Sequence, residues 1–190
     1  FGRVLRTALR QDPDVILVGE MRDQGTVETG LRAALTGHLV LSTLHTNDAI
    51  STPMRLLDMG APPYMVAMSL QMVIAQRLVR LVCDKCGEPH EREWLRLELG
   101  DRVNAFRYRR GAGCDQCNRT GYVGRTGVYE ALEMTRPVVE AANHGEPQTF
   151  LMAARKQMGG ATLRRSAVAL VAAGRTTVAE AMHASNQFED

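Results

Sequence analysis

Asp14-Val15-Ile16-Leu17-Val18-Gly19-Glu20 (DVILVGE) and Gly37-His38-Leu39-Val40-Leu41-Ser42-Thr43-Leu44-His45 (GHLVLSTLH) decide the fold class. Each carries a short apolar run that closes on a polar side chain. Runs of this kind predict strands at Val15–Val18 and at 39–44, buried on both faces as in a parallel sheet. Between them, residues 26–35 place Val27, Leu31, Ala34 and Leu35 on one helical face, with Gly37 beyond the end. Strand, helix, strand in that order predicts an α/β fold with a parallel sheet.

Outward from this centre the pattern stays legible. Residues 1–10 repeat an apolar face (Val4, Leu5, Ala8, Leu9) until Asp12-Pro13-Asp14 breaks it. No capping residue precedes that helix, so the chain is expected to begin inside an element of a longer protein. After His45, either Asn47 or Asp48 can cap a helix running to about 59, with Gly60 past it. Pro62-Pro63 is expected to open one long apolar helix to about 81. Met54, Met59, Met65, Met68 and Met72 are expected to pack the core rather than line a cofactor site. Two strands within residues 1–82 make only a piece of a sheet. Further on, 127–134 reads as a strand or a helix start. Helices follow at 138–143, 150–158, 163–173 and 178–184, the last capped by Thr177.

Composition narrows the classes. The 190 residues include 23 basic and 21 acidic side chains, a net charge of +2, and 45% are hydrophobic. That excludes a disordered tail, a collagen-like fibre and a disulfide scaffold. The charge is too weak to point to nucleic acid or membrane. The longest nearly apolar stretch, 64–75, is interrupted by Ser69 and Gln71 and falls short of the roughly 20 residues a membrane span needs. No signal peptide opens the chain.

The four cysteines form two C-x-x-C pairs, Cys83/Cys86 and Cys114/Cys117, with 27 residues between the pairs. Two such knuckles can supply the four thiolates of a tetrahedral zinc site, closed and therefore structural. Two disulfides or free thiols are the alternatives, but no secretion signal and no βαβ redox context accompany the pairs. Within the intervening loop, Trp94 and Leu95 are expected to pack a small satellite core. Phe106-Arg107-Tyr108-Arg109-Arg110 fits either single-stranded nucleic acid or a solvated loop edge.

In open parallel sheets, chemistry collects at the carboxyl ends of the strands. Glu20 and His45 stand there. A carboxylate in that place can orient and polarise an attacking water, and a neighbouring histidine can donate to a terminal phosphate oxygen. The alternatives are an exposed loop carboxylate and a helix-capping histidine. His38 reads as a strand-edge residue rather than a ligand.

LRQDPDVILVGEMRD, TGHLVLSTLHTN, AQRLVRLVCDKC and GYVGRTGVYE resemble, in order, strings of the type II secretion/type IV pilus ATPase family. The resemblance runs from Phe1 to about 184. It implies a partial RecA-like P-loop ATPase core with an inserted C4 zinc unit and a C-terminal helical region. The parts would be residues 1–82, 83–123 and 124–190. Glu20 would be the Walker B glutamate and His45 part of the histidine box. Cys83, Cys86, Cys114 and Cys117 would hold Zn²⁺. Arg77, in a shared string, would either approach nucleotide or sit in an ion pair on a helix surface. Gly19 stands where many P-loop enzymes carry a magnesium-binding Asp, which this family generally lacks, so Mg²⁺ of the MgATP substrate would be met through water.

The sequence contains no G-x-x-x-x-G-K-[ST], so the phosphate cradle is expected upstream and the piece alone should be inactive. Family members are cytoplasmic hexamers that drive pilins or pseudopilins through an inner-membrane platform protein, peripheral to that membrane and without nucleic acid. The retraction branch generally lacks the tetracysteine unit, which favours assembly or secretion. A zinc-ribbon nucleic-acid module or a docking domain without activity is the competing reading.

Overall fold

The computed structural model describes residues 2–89, 108–143 and 146–185. It divides into two compact units, residues 1–75 with 131–160, and residues 76–130 with 161–190. Both Trp94-Leu95 and Phe106-Arg107 lie outside the described residues.

In the first unit, α1 (Gly2–Ala8) ends in a 3-10 turn, Leu9–Gln11, closed by Asp12 in the left-handed region at φ 51°. Strand β1 (Val15–Val18), helix α2 (Gln24–Leu35) and strand β2 (Leu39–Ser42) follow. The strands pair in parallel, with Val15 opposite Leu39 and Val18 opposite Ser42. This confirms the βαβ reading but corrects the burial. Ile16 and Val18 are buried, whereas Val15, Leu17, Leu39 and Leu41 are exposed. Among the described residues, helices cover the β1–β2 pair on one face, which leaves alternate residues of each strand exposed.

Helices α3 (Ser51–Asp58) and α4 (Pro63–Ser69) come next. Asp48 accepts a hydrogen bond from the Ser51 N–H at 2.7 Å, satisfying a donor at the start of α3. The long helix expected from Pro62-Pro63 to about 81 does not form. It stops at Ser69, Leu70 turns extended (ψ 122°), and Met72–Val82 is a strand, β3. The β-branched Val73, Ile74, Val79 and Val82 favour that outcome, and pairing with a distant strand supplies it. That partner is β6 (Tyr122–Glu133), so all but the last residue of the ambiguous stretch 127–134 is strand. Met134 N–H bonds to the Gln71 carbonyl at one end and Cys83 N–H to the Gly121 carbonyl at the other. Such end-to-end pairing makes the ribbon antiparallel. Helices α5 (Arg136–Asn143) and α6 (Pro147–Met158) complete the first unit.

Among its described residues, two clusters hold this unit together. One gathers Leu5, Ile16, Val18, Val27, Leu31, Leu56 and Met65. The other gathers Leu132, Val138, Phe150, Ala154 and Met158. Leu132 is fully buried, and its truncation to alanine would cost about 2–5 kcal/mol. Of the methionines expected in the core, Met65 is buried and Met59 packs against the first cluster, but Met68 and Met72 are exposed. Met68 stands on the outer face of α4, and Met72 points outward from β3.

The second unit pairs β4 (Gly87–Pro89) with β5 (Arg109–Gly111), antiparallel. Tyr108 is buried rather than at a solvated edge. Helices α7 (Leu163–Ala172) and α8 (Val178–Ala184) close the chain. Buried Glu130 on β6 accepts from the Leu163 N–H at 2.9 Å and so satisfies a donor at the start of α7. Arg80 on β3 donates to Glu180 on α8 through Nη2 at 2.6 Å, and lies 4.2 Å over the Tyr122 ring.

Candidate functional site

Two side-chain groups stand apart from packing, one in each unit. In the first unit, α2 begins where β1 ends. Asp23 accepts from the Thr26 N–H at 2.9 Å and from its hydroxyl at 2.8 Å, capping α2 and turning the chain away from the strand. The turn is seated by buried Met21, whose Cε occupies the space a Cβ on Gly30 of α2 would need, 2.5 Å away. Glu20 therefore projects from a short bend whose two sides are fixed.

Glu20 is held by two partners. Arg22 Nη2 donates to Oε1 at 2.7 Å, and His45 Nε2 lies 3.1 Å from Oε2. Donation from Arg22 holds the carboxyl below its ordinary range, with His45 adding to the effect and partial burial opposing it. An ionised carboxylate only accepts, so the contact places the His45 proton on Nε2. The backbone is tied as well. Thr43 donates its hydroxyl to the Gly19 carbonyl at 2.7 Å, and Met21 N–H donates to the Thr43 carbonyl at 3.2 Å. Glu20 and His45 are thus brought together, as the strand-end argument requires. Arg22 and Thr43 were not among the sequence candidates. The signal for Thr43 was its position two residues before His45, since alternate residues of an extended chain face the same way.

His38 does not reach this group. Its Nδ1 lies 3.0 Å from the Ala33 carbonyl at the end of α2, a helix-terminus contact. Arg77 belongs to β3 in the second unit, so the helix surface expected for it gives way to a half-buried strand position.

In the second unit the four cysteine sulfurs lie within 4.8 Å of one another. The Cys83–Cys114, Cys86–Cys117 and Cys114–Cys117 separations are 3.9, 3.8 and 3.7 Å. Four sulfurs about 2.3 Å from a tetrahedral zinc ion stand roughly 3.8 Å apart, so the donor set fits that ion. Backbone donors point at the sulfurs. Gly113 N–H reaches Cys86 at 3.3 Å, and Cys117 receives Cys114 N–H at 3.1 Å and Gly121 N–H at 3.3 Å. Those backbone donors, Cys114 first, bring the Cys117 thiol down to about 6, while burial pushes Cys86 up to about 12. The second knuckle turns through Asn118 and Arg119, both at positive φ (49° and 60°).

Among the described residues, no helix is long and apolar enough to cross a membrane.

The chain matches the family described as "Type II/IV secretion system protein" over residues 1–183. It is 43% identical over 190 residues to the type II secretion system protein E of Dickeya dadantii, covering 98% of this chain and 37% of that relative. It is 42% identical over 185 residues to the type IV pilus assembly ATPase PilB of Myxococcus xanthus, covering 95% of this chain and 33% of the relative. Among solved structures, the pilus retraction motor PilT with bound ADP superposes with a TM-score of 0.67 at 32% identity, over 97% of this chain and 43% of that one. The Legionella pneumophila ATPase DotB superposes at 0.64 over 94% of this chain and 40% of that one; at 24% identity it bears on the fold alone. The α/β core is thus that of an ATPase fold, and the chain spans 33–43% of the length of these proteins. The chain belongs to the type II/IV secretion system protein family.

Proposed function

We propose that this chain is the C-terminal part of a hexameric motor ATPase that drives type IV pilus assembly or type II secretion. The observation that supports it most is the Glu20–His45 contact across the carboxyl ends of two parallel strands. Glu20 acts as the Walker B glutamate. It orients the attacking water, and its lowered pKa keeps it anionic for that task. Phosphoryl transfer through a loose transition state asks mainly for positioning and charge, so a strong base is not required. His45 offers its Nε2 proton to Glu20 until a terminal phosphate arrives and competes for it. In this way the pair registers whether ATP or ADP is bound. MgATP is the substrate. With Gly19 before Glu20, this strand end supplies no direct carboxylate ligand to Mg²⁺. Arg77, in a string shared with the family, is kept as a candidate for approaching the nucleotide.

The phosphate cradle is absent from residues 1–190, and sequence upstream of Phe1 supplies it in this reading. Cys83, Cys86, Cys114 and Cys117 hold one structural Zn²⁺, whose ligation energy ties the two knuckles together. The motor works from the cytoplasmic side against an inner-membrane platform protein, with no nucleic acid and no span of its own.

The test is a comparison of turnover. Residues 1–190 alone should hydrolyse ATP at background, and the full-length protein should hydrolyse it robustly. Turnover by residues 1–190 alone would show that the site has been misplaced.

A further inference from the structure

We infer that Thr43 is a positioning residue for Glu20, acting on the backbone at both sides of it; this rests on Glu20 being the hydrolytic carboxylate proposed above. The parallel ladder ends at the pair Val18–Ser42, so Gly19 and Glu20 emerge from it without a strand partner. Packing does not fix Gly19. It is exposed, and a Cβ added there would meet nothing within 4 Å. Thr43 supplies what the ladder no longer does. Its hydroxyl donates to the Gly19 carbonyl at 2.7 Å, and its carbonyl accepts from the Met21 N–H at 3.2 Å. Those are the residues immediately before and after Glu20. Two residues further on, the same segment brings His45 Nε2 to the Glu20 carboxylate.

Only the first of the two backbone ties uses the Thr43 side chain. Valine has nearly the same shape and no hydroxyl, whereas serine keeps the donor. Thr43 and the Gly19 carbonyl are in an exposed region, so water can replace the lost bond and the core is untouched. What changes is where the carboxylate stands. A misplacement of about 1 Å can cost up to about 10²-fold in rate.

The experiment uses the full-length protein with Thr43→Val and Thr43→Ser, each alone and combined with Glu20→Gln. Thr43→Val should lower kcat about 10-fold while KM for ATP and the melting temperature stay unchanged, and Thr43→Ser should recover kcat to within about 3-fold. On the Glu20→Gln background, Thr43→Val should add no further loss. The inference is overturned by wild-type turnover in Thr43→Val, by a loss that multiplies with that of Glu20→Gln, or by weakened nucleotide binding with kcat intact. A large fall in melting temperature with Thr43→Val overturns it too, because the hydroxyl would then serve the fold. Wild-type hydrolysis by Glu20→Gln is a different result and sinks the functional reading itself.

Discussion

His45 Nε2 and Glu20 Oε2 stand 3.1 Å apart although the two residues are 25 positions apart in the chain. Parallel pairing of β1 with β2 brings their carboxyl ends level, and the contact follows from that register. In the functional reading, losing His45 removes the link between the water-orienting carboxylate and the terminal phosphate. His45→Ala in the full-length protein should therefore reduce turnover and also flatten its dependence on ATP concentration. Steady-state rates across ATP concentrations check this, and an unchanged Hill coefficient with unchanged rate would count against it.

Arg22 predicts a pH effect of definite sign. Its guanidinium, with help from His45, holds Glu20 below the ordinary carboxylate range. The carboxylate therefore stays ionised to lower pH than a free one would. In Arg22→Ala the acid limb of the kcat–pH profile should move to higher pH. A profile superimposable on that of the wild type would show that Arg22 is a bystander.

The ion pair between Arg80 and Glu180 predicts how the second unit responds to acid. Burial raises the Glu180 pKa, but the Arg80 side chain and backbone N–H more than offset it, and the net shift is downward. A carboxyl with a depressed folded-state pKa stabilises the fold above its unfolded value and loses that contribution as pH falls through the folded one. Glu180→Gln should thus cost about 1–2 kcal/mol near neutral pH, with the difference from wild type shrinking as pH falls below the ordinary carboxylate range and through the lowered folded-state value. Chemical denaturation at several pH values measures it. A difference that persists undiminished in acid would mean the cost is one of packing.

For the cysteine cluster the expected outcome is about one zinc ion per chain in reduced protein. Cys114→Ser should lose the metal and melt earlier, because ligation energy in such units is folding energy. Elemental analysis paired with a melting curve decides the matter, and metal-free, equally stable wild-type protein would contradict it.

Much of the fold was legible because local pattern and final environment agreed. Residues 15–18 and 39–42 are apolar and short, Asp48 bonds to the start of α3, and Thr177 caps α8 through the Glu180 N–H. Residues 70–82 misled because the apolar run after Pro63 fits a helix as well as a strand. Pairing with β6, some 50 residues later, chose the strand, and nothing local to the run announces it. At the site, Glu20 and His45 were visible as polar residues closing apolar strands. Thr43 and Arg22 were not, because their roles lie in bonds to a neighbour rather than in their own chemistry.

The central claim is that Glu20 carries the hydrolytic step. The most direct measurement is single-turnover ATP hydrolysis by Glu20→Gln in the full-length protein, alongside nucleotide affinity. The substitution keeps size and hydrogen bonding but removes the charge that orients water. Affinity should remain near the wild-type value while the hydrolysis rate falls by about 10²–10⁴-fold. Hydrolysis at the wild-type rate would make Glu20 no more than a loop carboxylate paired with Arg22 and His45.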